Sequence, residues 1–135
     1  MITFQSIFDK AWQAFIVEDQ PPAAQVVYTG TNGAVISECA YLTEDGRRCA
    51  IGLSLTEFPE IEGYRGNFSD LVDSDFKIPW ADEILEAHYF TLDSFQCDLH
   101  DELCDKGEWK FSNAEREAAY RAVAEELNLT IPGES

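Results

Sequence analysis

The stretch Gln96 to Cys104, QCDLHDELC, gathers two cysteines, a histidine and three acidic side chains within nine residues. Thiolates and imidazole bind zinc, and a thiol beside an imidazole is the start of nucleophilic catalysis. Spacing decides what the stretch can do. On one helix Cys97 and Cys104 are separated by about 10 Å along the axis, at 1.5 Å per residue. Two thiolates on one zinc, each about 2.3 Å from it, need sulfurs within about 4 Å. One ion therefore does not bridge them. His100 and Cys104, at i and i+4, form the one comfortable pair, and two further ligands would have to come from elsewhere, such as Cys39 or Cys49.

A thiol-enzyme reading uses Cys49 as nucleophile, His100 as base and Asp101 as orienting acid. Cys49 follows a turn and could open a short helix, which lowers a thiol pKa. Against it, Ala50 and Ile51 suit a buried structural cysteine, and adjacent His and Asp on one helix diverge. The chain has no P-loop, GxGxxG, GxSxG or HExxH motif. The expectation is no catalytic residue, no metal and no cofactor.

On a helical wheel Leu92, Phe95, Leu99 and Leu103 form a core face. Cys97 and Cys104 fall opposite it, beside Asp93 and Asp101, with His100 on the flank. The cluster thus belongs to an acidic surface. The chain carries nine basic and 26 acidic residues, a net charge of −17. Between Glu57 and Asp105 stand 14 acids against Arg65 and Lys77, so this segment holds −12 of the total. Such a field repels nucleic acid and anionic membranes and favours cationic partners.

Around this cluster, 135 residues suffice for one domain, 1–135, with its own core. Phe4, Ile7, Phe8, Ala11, Trp12 and Phe15 follow helical spacing, so a helix is expected over 4–17, capped by Thr3 and ended before Pro21 and Pro22. Residues 25–29 and 34–42 read as strands around a turn, and Asp45-Gly46 marks a hairpin. Residues 47–55 are a third strand or a short buried helix. A short helix fits Ser69 to Asp75. Helices are expected over 80–89, after Pro79, and over 92–104, capped by Thr91. The last helix starts at the capping box Ser112-Asn113-Ala114-Glu115 and ends at Asn128. The class is α+β: an N-terminal helix, a small antiparallel sheet over about 25–54, and three C-terminal helices packed on it. No segment has the roughly 18 apolar residues of a membrane span. The N-terminus lacks a basic leader, so a cytoplasmic chain with reduced thiols is expected.

Cys39-Ala40-Tyr41, then Gly46-Arg47-Arg48-Cys49-Ala50-Ile51-Gly52, then His100-Asp101, resemble a group of small phage and prophage proteins. The group pattern is Cys-x-Tyr-Arg, Gly-x-x-Cys-Ala-Ile/Val-Gly and Leu-Gln-x-x-His-Asp. Leu42 replaces the arginine, and Cys97 stands where the glutamine would be, with Gln96 one place early. The resemblance implies a mobile-element setting and no particular reaction. With the charge, it leads to an expected non-enzymatic inhibitor of a host protein, of the anti-CRISPR or DNA-mimic kind. The expected partner has a basic surface or nucleic-acid groove, met by Asp70, Asp73, Asp75, Asp82, Glu83, Glu86, Asp93, Asp98 and Asp101. The competing readings are the Cys49–His100 enzyme, a phage accessory protein without inhibitor role, and a merely solvating acidic surface.

Overall fold

The chain opens with Thr3 holding the first turn of α1, Phe4–Ala11. The Thr3 hydroxyl accepts from the Ser6 amide at 2.9 Å, and the Ser6 hydroxyl accepts from the Thr3 amide at 2.9 Å. Two otherwise unpaired donors are satisfied together, as a capping box does. The computed structural model describes residues 1–22, 25–29, 33, 35–39, 48–56, 58, 71–72, 76–87, 91–105 and 108–133. The hairpin at Asp45-Gly46 and His88 lie outside the described residues, as does the helix expected over Ser69 to Asp75 apart from Leu71 and Val72, which are helical.

α1 does not stay α-helical to residue 17 as its stripe predicts. From Trp12 to Val17 it is a π-helix, in which the Glu18 amide donates to the Gln13 carbonyl at 2.9 Å, five residues back. Strands β1, Gln25–Thr29, and β2, Val35–Cys39, pair antiparallel, with Gln25 opposite Cys39 and Thr29 opposite Val35. The sheet expected to reach residue 54 is narrower, because Gly52–Leu55 forms a 3-10 helix. Small Ala50 and Gly52 permit the tight turn, and the Gly52 amide donates to the Cys49 sulfur at 3.2 Å.

Two of the C-terminal helices are shorter than their patterns suggest. α2, Asp82–Leu85, is a single turn. α3, Leu92–Leu99, ends at His100, where the chain turns into a 3-10 segment, Asp101–Leu103. The Leu103 amide donates to the His100 carbonyl at 3.0 Å, and that three-residue closure redirects the chain. β3, Cys104–Asp105, then pairs antiparallel with β4, Glu108–Trp109. α4, Asn113–Leu127, starts at Ser112 in a capping box with Glu115 and stops at Asn128, which takes the left-handed conformation at φ 60°.

The core is helix against helix. Phe8 and Trp12 meet Tyr120 of α4, with ring centroids 5.7 and 6.3 Å apart. Phe4 packs edge-on against Phe95 of α3 at 5.2 Å. Ile51 and Leu55 are also fully enclosed. Each such side chain contributes about 1.5–3 kcal/mol of hydrophobic stabilisation. The Tyr120 hydroxyl donates to the Leu99 carbonyl at 2.6 Å, which satisfies the end of α3. Helix and strand therefore coexist among the described residues, with helix dominant. None of the helices there is long and apolar enough to cross a membrane.

Candidate functional site

The bend after Leu99 rearranges the cysteine–histidine stretch. A continuous helix would leave His100 on the flank and Cys104 outside. Both are instead buried. The His100 ring packs against both Phe15 and Trp109, at centroid distances of 5.6 and 5.9 Å. Asp101, expected on the acidic face, turns inward: its Oδ1 lies 2.8 Å from His100 Nδ1, with 15% of its side chain exposed. An ionised carboxylate only accepts, so the shared proton sits on Nδ1. The Cys104 sulfur is 3.9 Å from the same Nδ1, a looser contact.

Gln96 ties this pair to the Cys49 turn. Its Nε2 donates to Asp101 Oδ1 at 2.9 Å, and its Oε1 accepts from the Ile51 amide at 3.0 Å. Gln96 is itself buried. A chain of hydrogen bonds thus runs from the segment after Cys49, through Gln96 and Asp101, to His100. The sequence pattern had a usable signal here: Gln96 falls one turn before His100, so on a helix the two share a face. The wheel counted only apolar residues toward the core and passed it over.

The chemistry this arrangement supports is limited by access. Cys49 and His100 are each 0% exposed. The Cys49 sulfur acts as a cap, accepting the Gly52 amide. Among the described residues no three His, Cys, Asp or Glu side chains are arranged to hold a metal ion. Cys97 is half-buried. Burial first, then the charges of Asp101, Glu102, Asp98 and Asp93, push its thiol up. It is therefore held protonated, the opposite of an activated nucleophile or ligand.

The nine acids expected at the surface divide. Asp70, Asp73 and Asp75 lie outside the described residues. Asp82 and Glu86 are exposed on and just after α2. Glu83 is exposed too, yet its Oε1 accepts from the Phe4 amide at 3.0 Å, so it caps the start of α1. Asp93 stands in the first turn of α3, where the helix dipole favours an anion. Asp98 is half-buried. Burial, then Glu102 and Glu126, hold its carboxyl above the usual range. Glu102 and Glu126 were not singled out from the sequence. Glu102 is one helical turn from Asp98, a legible spacing, whereas Glu126 arrives from α4 and is not.

Comparison with protein-family models, curated proteins and solved structures finds no match.

Proposed function

We propose that this chain is a small acidic binding protein of the phage type. It inhibits a nucleic-acid-handling host protein by setting a carboxylate-dense face into that partner's basic groove. The observation that carries this reading is the Asp98 cluster. Glu102 and Glu126 both act on Asp98 in the same unfavourable sense, and every charged group acting on Cys97 is an acid. Like charges so arranged lower stability, and they gain favourable partners when a cationic surface covers them. The burial of Cys49 and His100 counts for binding and against thiol chemistry. The inhibitor acts in the host cytoplasm, with no direct hold on nucleic acid or membrane.

Asp82, Glu86, Asp93 and Asp98 carry the face in this reading, joined by Glu102 and Glu126. Asp101 and Glu83 act chiefly within the fold. The test is affinity capture from host lysate, followed by titration of the captured protein at rising salt. Binding is expected to weaken steeply with ionic strength and to be lost in D82K/E86K/D98K/E102K. Salt-independent binding, or full binding by the reversed variant, overturns the proposal. A captured protein that handles no nucleic acid removes the inhibitor class assigned here.

A further inference from the structure

The π-helix is imposed from outside its own sequence. Residues 12–17, WQAFIV, contain no glycine or proline, and the helical stripe of Phe4, Ile7, Phe8, Ala11, Trp12 and Phe15 is an α pattern that runs into the π segment. α1 is α-helical up to Ala11. The local sequence therefore encodes the α register, and tertiary contacts hold another.

Those contacts converge on the end of the segment. Arg116 Nη1 donates to the Phe15 carbonyl at 2.6 Å, and Asn113 Nδ2 donates to the Ile16 carbonyl at 2.8 Å. Trp109 Nε1 donates to the Gln20 carbonyl at 2.9 Å. Arg116 Nη2 pairs with Asp19, which takes a left-handed φ of 51°. Arg116 Nε donates to the Phe111 carbonyl at 3.3 Å, and its guanidinium lies 4.5 Å from the Trp109 ring centroid. Arg116 is buried and spends its fork of donors on this junction. The Ala14 carbonyl accepts from Gln20 at 2.9 Å, six residues on, where the π segment closes. In an α register it would accept from Glu18, four residues on.

The geometry points to Trp12–Val17 being a two-register switch, with Arg116 as the positioning residue that selects π over α. One residue of register change re-aims the side chains beyond it by up to about 100°. Phe15 lies there, 5.6 Å from the His100 ring and 5.2 Å from the Trp109 ring. The switch thus decides whether Phe15 covers His100. Asp19 is 59% exposed, so the latch is reached from solvent on its Asp19 side.

The test is through-hydrogen-bond NMR coupling in the labelled full chain. The wild type is expected to couple the Glu18 amide to the Gln13 carbonyl. In R116M the partner is expected to become the Ala14 carbonyl, with loss of the Phe15–His100 cross-peaks. Retention of the Gln13 coupling in R116M overturns the inference, as does a frayed segment showing neither coupling. Should R116M fail to fold, N113A and D19N decide. Displacement of their Glu18 amide and Phe15 ring signals, together with a detectable Ala14 coupling, supports the switch. Signals unchanged from wild type in both variants overturn it.

Discussion

Gln96 is the residue on which the described polar interior turns. A primary amide offers a donor and an acceptor on one rigid group, and here each meets a different segment of chain. Its Oε1 takes the Ile51 amide at 3.0 Å and its Nε2 serves Asp101 at 2.9 Å. Truncation removes both at once in a site closed to water. Leaving a buried polar group without its partner costs about 1–3 kcal/mol. Gln96→Ala is therefore expected to lower unfolding stability by about 2–4 kcal/mol. The exposed Gln13→Ala, which loses only a hydrogen bond to Glu18 at the surface, should stay within about 0.5 kcal/mol. Urea unfolding of the two variants checks this. Similar small losses in both would mean that the Gln96 bridge is not formed in solution. The sequence placed Gln96 beside the group pattern but gave it no task, because its partners are 45 residues back and five residues on.

At the scale of elements, α4 shows what local sequence specifies well. Ser112 and Glu115 are three residues apart, and both halves of the capping box form, the Ser112 hydroxyl accepting the Glu115 amide at 3.2 Å. Asn128 ends the helix at φ 60°, where glycine or asparagine is favoured. Ser112→Ala is expected to cost about 1 kcal/mol. Asn128→Ala should cost a similar amount through the left-handed backbone, about 1–2 kcal/mol, while Asn128→Gly should be near neutral. Thermal melts of the three variants test the order. A glycine variant as unstable as the alanine one would assign the loss to the asparagine side chain rather than to the backbone. These signals are legible because cap and helix are neighbours in sequence. The π-helix is not, since the donors to its last carbonyls lie about a hundred residues away on α4. The end of α3 is not legible for a related reason. A helical wheel assumes one straight axis, and the burial of His100 against Phe15 and Trp109 favours a bend that no local residue announces.

Across the whole molecule the charge of −17 is plain in the sequence, whereas its effect on stability depends on which acids are crowded. Asp98 and Asp19 are shifted in opposite directions, so they act on the pH profile in opposite senses. Burial, then Glu102 and Glu126, raise the Asp98 carboxyl. The folded state holds that proton more tightly than the unfolded chain does, so acidification from neutrality favours folding. Asp19 is lowered, chiefly by its hydrogen bond from Arg116. Its contribution is present above the ordinary carboxylate value of about 4 and is lost as pH falls through its lowered one. The urea midpoint is therefore expected to rise as pH falls from 7.5 toward the ordinary carboxylate value of about 4 and to fall again below it. In Asp98→Asn the carboxyl is gone, so the midpoint at pH 7.5 should rise and the gain on acidification should shrink. In Asp19→Asn the loss below pH 4 should shrink instead. Added salt should raise the wild-type midpoint at neutral pH by screening the acids, and do less near pH 4.5, where many carry protons. A midpoint that falls steadily from pH 7.5 downward would mean that repulsion among the acids is negligible beside their favourable contacts. The acidic face would then be a solvated surface under no strain, and its claim to a basic partner would lose its physical ground.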